Sequence, residues 1–183
     1  YIAYYKFDET NVPEYTFINY GKLYPQSYTY KYPKAGEDNS FVSIWSYSIS
    51  TGTNKRLFSS KDYLEYIPRI KFTADAKTLC IYNLNRHQDD LRLYLSDIEN
   101  GNTKMIYSEK NNAYVEINDN LSFLNDGKNM VSSSEKDGWH HLYLRNIVAG
   151  TETCLTPGNS DIEELKGVDE ITKFVYYTAA VDN

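Results

Sequence analysis

Residues 70–101 read IKFTADAKTLCIYNLNRHQDDLRLYLSDIENG, and residues 121–150 read LSFLNDGKNMVSSSEKDGWHHLYLRNIVAG. Phe72, Asp75 and Lys77 of the first stretch match Phe123, Asp126 and Lys128 of the second at a shift of 51 residues. Further along, Leu93-Tyr94-Leu95, Ile98 and Gly101 match Leu142-Tyr143-Leu144, Ile147 and Gly150 at a shift of 49. The difference of two residues falls in a polar hairpin tip, where solvated backbone tolerates a change of length. Self-similarity at a fixed period marks a repeat architecture.

The pattern runs on in both directions. Ile44-Trp45-Ser46, Ile49 and Gly52 precede Leu93-Tyr94-Leu95, Ile98 and Gly101 by another 49 residues, and Tyr1-Ile2-Ala3-Tyr4 reads like Leu79-Cys80-Ile81-Tyr82. Residues 165–177, LKGVDEITKFVYY, start the cycle again. Each unit is a strand, a turn carrying Asp, a strand, a hairpin, a strand, a turn carrying Gly, and a short last strand such as 104–107 or 152–155. Four short strands per period of ~50 residues, with no helical pattern, predict an all-β chain: part of a β-propeller built from four-stranded antiparallel blades. Recurrence at the same place in each unit marks Asp75 and Asp126 as turn formers rather than metal ligands or catalytic acids, because an Asp side chain bonds its own turn backbone.

Residues 1–183 then hold two complete units and parts of two flanking ones, about three to four blades' worth. A closed ring needs roughly four to eight blades, so an arc of a larger propeller is expected. An arc has two raw edges, and unpaired edge strands recruit partners, so the fragment alone is expected to self-associate or to leave its terminal strands poorly ordered.

Composition removes several function classes. Of the 183 residues, 41% are hydrophobic and 24% charged, and no apolar run approaches the ~18 residues of a membrane span. With 25 acidic against 19 basic residues and no basic cluster, the net charge of −6 argues against nucleic acid as a partner. Tyr1 opens in strand-like sequence without a basic-then-apolar leader, so any export signal is expected to have been removed or to lie outside these residues. Cys80 and Cys154, 74 residues apart in apolar strand-like runs, read as buried free thiols. Neither forms a CxxC pair, and no cofactor is expected.

No catalytic residue is predicted. The nearest approach to a GxSxG elbow, Gly158-Asn159-Ser160-Asp161-Ile162, lacks the second glycine and the strand-to-helix setting. The three histidines, His87, His140 and His141, all fall in predicted hairpins. Adjacent strand residues point to opposite faces, so His140 and His141 should diverge. No carboxylate or thiol stands at ligand spacing beside them, and no metal site is expected. Residues 134–138 read as a turn that leaves Trp139 to pack on a neighbouring blade.

Four segments carry a family resemblance: AYYKFDETNVPEYTF at 3–17, YKYPKAGEDN at 30–39, SSEKDGWHHLYL at 133–144 and LTPGNSDIEELKGVDE at 155–170. In this order they resemble the N-terminal β-propeller of the dipeptidyl peptidase IV family of serine exopeptidases, in wording more similar to bacterial members than to animal ones. The resemblance implies an eight-bladed propeller capped by a C-terminal α/β-hydrolase domain that carries the Ser-Asp-His triad and lies beyond this chain. It implies release of N-terminal X-Pro or X-Ala dipeptides from peptide substrates, and an exported protein of the periplasm or cell envelope. The remaining blades and the hydrolase domain would be its partners. The pair of glutamates that holds a substrate's amino terminus is expected just before Tyr1, and Glu9 is not one of that pair. The loop at 113–117 resembles the segment bordering the substrate's second subsite, which makes Tyr114 and Glu116 the candidate substrate-binding residues. Where animal enzymes place aromatic and arginine side chains, Glu116 and Ile117 stand here. The alternatives are a stand-alone ligand- or protein-binding propeller of the cell envelope, and an oligopeptidase of related architecture.

Tyrosine is the compositional outlier, with 19 in the chain and nine within the first 32 residues. By the repeat, the strand at Tyr1 should return at Phe41–Tyr47 within ~10 residues; residues 8–40 intervene instead and hold three of the five prolines. So long an insertion at a hairpin tip is functional or disordered, and the alternation of Tyr28, Tyr30 and Tyr32 argues for order. In the resembled family the insertion is an arm that joins a homodimer interface. Tyr15, Phe17, Tyr20, Tyr24, Tyr28, Tyr30 and Tyr32 are the candidate anchors, since tyrosine is enriched in interface cores. Pro25 and Pro33 limit how far the arm pairs. The alternative is an arm folded back on its own propeller.

Overall fold

In this computed structural model, which describes residues 1–61 and 65–180, the described residues form sixteen β-strands and no helix. The chain opens with β1 (Ile2–Asp8), then projects a separate hairpin, β2 (Glu14–Asn19) and β3 (Gln26–Lys31). It returns as β4 (Phe41–Tyr47) and β5 (Asn54–Ser59), which with β1 make a three-stranded sheet in the order β1-β4-β5. The second sheet comprises β6 (Glu65–Tyr66), β7 (Ile70–Phe72), β8 (Thr78–Asn85), β9 (Asp90–Asp97) and β10 (Thr103–Lys110); both β6 and β7 pair with β8. The third runs β11 (Leu121–Phe123), β12 (Asn129–Ser134), β13 (His141–Asn146), β14 (Thr151–Cys154). The last pairs β15 (Ile162–Asp169) with β16 (Phe174–Ala179). All pairings are antiparallel, as the repeat predicts.

The apolar run in β8 shows why the sheets stack. Its six central residues, Leu79 to Leu84, are all buried. Because successive strand residues point to opposite faces, one strand serves two cores. Leu79 and Ile81 join Val42, Ile44, Leu57 and Ile98 between the first and second sheets. Cys80, Tyr82 and Leu84 join Leu91, Leu93, Val115, Leu121 and Met130 between the second and third. A third core, Val131, Leu142 and Ile162, lies between the third and fourth. Face-to-face stacking of small twisted antiparallel sheets is the propeller arrangement.

The repeated turn residues do equivalent work in each sheet. The Asp75 carboxylate accepts from the backbone N–H of Lys77 at 2.9 Å and of Thr78 at 3.1 Å. Asp126 accepts from Lys128 at 2.8 Å and Asn129 at 2.9 Å, and Asp169 from Ile171 at 2.9 Å and Thr172 at 3.1 Å. Hydrogen bonds to the charged form hold all three carboxyls below the usual carboxylate range, led by the Lys77 N–H at Asp75, the Lys128 N–H at Asp126 and the Thr172 side chain at Asp169. Gly101 closes the β9–β10 turn at φ 77°, where a Cβ would stand 3.3 Å from the Lys55 side chain and 3.4 Å from the Arg56 carbonyl. The positive φ calls for glycine there, and the close neighbours leave little room for a side chain.

Two expectations need correction. Cys80 is a buried free thiol, pushed up to about 12 by burial, but Cys154 is only half-buried, since it ends the outer strand β14. Trp139 does not pack away on a neighbouring blade: it is exposed at the hairpin tip between β12 and β13.

Candidate functional site

Residues 113–117 lie in the connection from β10 to β11, and alternation governs them although they form no strand. Val115 is buried in the core between the second and third sheets and Ile117 packs against it, so Tyr114 and Glu116 face outward. The loop is stitched to three sheets. The Val115 N–H donates to the Gln88 carbonyl at 2.8 Å, the Ser133 hydroxyl to the Asn118 side chain at 2.9 Å, and the Leu165 N–H to the buried Asn120 side chain at 2.8 Å. Arg69 adds an ion pair to Asp119 at 2.9 Å. Tyr114 and Glu116 are therefore exposed side chains on a fixed backbone.

Two depressions meet at Tyr114. A crevice of ≈ 30 Å³ runs between the loop and the second and third sheets, lined by Glu109, Glu116 and Glu135 with Tyr107, Asn111 and Ser133, and has room for about one water. On the other side opens a cleft of ≈ 430 Å³ walled by Phe7, Val42, Tyr66, Ile67, Pro68, Leu84 and Ile117, with Arg69, Asn39 and Gln88 as its polar groups. A mostly apolar wall with a few placed polar groups suits a small organic ligand or a short peptide. Around the crevice the field is negative: the charge of Glu116, followed by some burial and by Glu135, raises the Tyr114 hydroxyl above the usual phenol range. Such a mouth favours a cationic group over an anionic one.

The arm residues stand apart from this site. The pairings Tyr15↔Tyr30 and Phe17↔Tyr28 set Tyr15, Phe17, Tyr28 and Tyr30 on one face of the β2–β3 hairpin, with Tyr32 just beyond it. Phe17 stacks on Tyr28 with ring centroids 5.6 Å apart, Tyr15 meets Tyr30 edge-on at 6.2 Å, and Tyr30 meets Tyr32 at 5.8 Å. Tyr20 and Tyr24 are separated from this ladder in the hairpin loop, 72% and 80% exposed. All six residues of β3 are exposed, and only the root of the arm, at Val12, is buried.

Sequence reasoning missed two constellations on β13. Arg145 is buried with its guanidinium bonded to Glu152 and to the carbonyl and hydroxyl of Ser132, and its Nη2 donates to the Tyr107 hydroxyl at 3.0 Å. It lies over both the Tyr107 and Tyr143 rings, 4.3 and 4.8 Å from their centroids. Tyr107 in turn donates to Glu109 at 2.7 Å, so a polar layer joins the second sheet to the third. The second constellation corrects the expectation for the histidines. They do diverge, His140 Nδ1 lying 2.8 Å from the Ile162 carbonyl and His141 Nδ1 2.8 Å from Asp137 Oδ2. But His141 has both a carboxylate and a thiol beside it: ligand atoms of Asp137, His141 and Cys154 all lie within 4.8 Å of one another. The Asp137 pairing spans four residues of a hairpin, and Cys154 arrives from the next strand, a neighbourhood no linear spacing displays.

A model of the family described as the dipeptidyl peptidase IV (DPP IV) N-terminal region matches residues 1–183. The chain belongs to this family. Among solved structures, the dipeptidyl peptidase 4 of Porphyromonas gingivalis is 39% identical with a TM-score of 0.85, over 97% of this chain and 26% of that one. A putative dipeptidyl aminopeptidase IV of Bacteroides ovatus is 26% identical with a TM-score of 0.87, over 97% of this chain and 28% of that one. The probable dipeptidyl peptidase 4 of Trichophyton verrucosum is 26% identical over 98% of this chain. The chain thus spans about a quarter of the length of the curated relatives it matches. Within this dipeptidyl peptidase IV N-terminal region, His141 Nε2 is buried without a hydrogen-bond partner, so no serine hydroxyl completes a triad with Asp137 and His141 among the described residues.

Proposed function

We propose that residues 1–183 are a non-catalytic part of the propeller of a serine exopeptidase that releases X-Pro and X-Ala dipeptides from the amino termini of peptides. The observation that carries this reading is membership of the dipeptidyl peptidase IV N-terminal family over the whole chain. The remaining blades and a C-terminal α/β-hydrolase domain complete the enzyme, which is exported to the periplasm or cell envelope. The propeller gates access to the triad, and Tyr114 and Glu116 stand on the substrate path, where the acidic mouth suits the ammonium group of a peptide. The arm joins two copies through Tyr15, Phe17, Tyr28, Tyr30 and Tyr32, with Tyr20 and Tyr24 at its tip. Support for this role is a row of aromatic rings in stacked and edge-on contact on an exposed hairpin, and large aromatic side chains are enriched among interface anchors.

Hydrolysis of a chromogenic Ala-Pro anilide by the full-length parent tests the reading, with sensitivity to a serine-directed inhibitor. Turnover that ends on inhibition is expected. A parent that binds peptides or glycans without hydrolysis would instead make this a binding propeller of the cell envelope. In the active enzyme, Glu116→Gln is expected to raise KM several-fold with kcat little changed, since a contact made equally in ground and transition states affects binding alone. An unchanged KM removes Glu116 from the substrate path.

A further inference from the structure

We infer that Asp137, His141 and Cys154 form a binding site for a borderline-soft divalent ion of the zinc class. Three elements supply one ligand each: Asp137 from the turn between β12 and β13, His141 from the first position of β13, and Cys154 from the last position of β14. Tyr143 and Cys154 are directly paired, and His141 lies two residues from Tyr143, so alternation places the histidine and the thiol as diagonal neighbours on one face. Asp137 then closes over that face, its Oδ2 2.8 Å from His141 Nδ1.

The donor set selects the ion. One carboxylate oxygen, one imidazole nitrogen and one thiol suit zinc or cobalt, and fit poorly with calcium or magnesium, which take oxygen ligands almost exclusively. Burial provides the rest of a site. The His141 side chain is 3% exposed, Cys154 is half-buried, and the Asp137 side chain is 42% exposed, so the cluster has a closed floor and one open side where water can complete a four-coordinate shell. Tyr143 donates its hydroxyl to Asp137 Oδ2 at 2.8 Å, the kind of outer hydrogen bond that orients a metal-bound carboxylate. The Lys136 ammonium faces Asp137 and Cys154, but Lys136 and Arg145 both pair with Glu152, and Asp137 and Glu109 bring the neighbourhood to three carboxylates against two bases. A metal ion competes with protons for imidazole and thiol ligands, so uptake is expected to release protons.

Cobalt(II) is the probe. Full-length parent protein, stripped with a chelator and reduced, is expected to take up one equivalent of Co²⁺ with a thiolate-to-metal charge-transfer band and visible bands of tetrahedral intensity, both lost on adding Zn²⁺. Cys154→Ser is expected to abolish the charge-transfer band and Asp137→Asn to weaken Co²⁺ binding at least tenfold, with far-UV circular dichroism unchanged. Cys80→Ser is the control and keeps the band, because Cys80 is sealed in the core away from this cluster. A wild-type protein without the charge-transfer band, or a band that survives Cys154→Ser, overturns the site. Binding is read from spectra and not from turnover, so failure here is distinguishable from absence of peptidase activity.

Discussion

Two antiparallel hairpins of this chain are alike in backbone and opposite in surroundings. The β8–β9 hairpin and the β2–β3 hairpin both pair in register with regular alternation. Yet β8 is buried on both faces through its centre, whereas every residue of β3 is exposed. The first is held by what stacks on it. The second is held by its own ladder of rings, by the Thr16–Thr29 hydroxyl contact at 2.7 Å on its other face, and by the Glu14–Lys31 pair at 3.7 Å. Strand formation and burial are thus separable: local alternation makes the hairpin, and the neighbouring sheets decide whether it becomes core or surface.

The comparison breaks most visibly at Ile81. This side chain is fully buried between the first and second sheets, and Ile81→Ala is expected to cost about 4 kcal/mol through lost transfer energy and a cavity that stacked sheets cannot collapse to fill. The midpoint of denaturant unfolding measures it. A loss as small as that of an arm substitution would mean that the sheets do not stack tightly. Arg145→Ala comes next, at about 3 kcal/mol, because it empties a buried polar layer and removes the donors that Glu152, Ser132 and Tyr107 share there. Arg145→Met is expected to recover part of that loss by filling the space between the two rings. If it recovers nothing, the charge rather than the volume carries the layer.

The difference between the hairpins also explains what the sequence disclosed. The repeat at shifts of 49 and 51 residues located both full sheets, because each turn needs an Asp or Gly at a fixed place and each core strand needs its apolar run. The arm was visible as an interruption of that period, with its aromatic alternation intact. What escaped were contacts that only folding brings about, between sheets and within one. No motif in the sequence singles out Arg145, which meets Tyr107, 38 residues earlier, only once the sheets stack. Asp137, His141 and Cys154 meet only because a hairpin and a third strand fold together. Tyr114 and Glu116 were singled out by family likeness, and their outward direction follows from Val115 and Ile117 turning in, a two-residue pattern too short to identify without the structure.

A smaller effect separates the hairpins by pH. The turn aspartates 75, 126 and 169 serve the stacked sheets and not the arm, and the folded state lowers the pKa of each. A lowered folded pKa means that the stabilisation is fully present above the unfolded value of about 4. It is lost as pH falls through that value toward the folded one. Stability of the sheets is therefore expected to decline below about pH 4, and Asp126→Asn to flatten that decline. An acid limb unaltered by Asp126→Asn would assign the loss to other carboxylates.

The smallest effect on folding and the sharpest on assembly belongs to the arm. Tyr30 is 44% exposed and takes part in the ring ladder with Tyr15, Phe17 and Tyr32. Tyr28→Ser with Tyr30→Ser is expected to shift unfolding of the stacked sheets by no more than about 1 kcal/mol, since both rings, about half exposed, pack within the arm and not on the core. If the aromatic face is the contact between copies, the same pair of substitutions converts dimers of the full-length protein to monomers in sedimentation velocity. Thr16→Ala, on the opposite face of the same two strands, leaves the dimers intact. This pairing of variants tests the direction of the arm and not merely its presence: both touch the hairpin and neither touches the core, so only the face that meets a partner distinguishes them. Equal loss of dimer from both faces would mean that the hairpin is gripped from two sides. Dimers unaffected by either would place the contact elsewhere and leave the ring ladder as the arm's own means of staying folded in water.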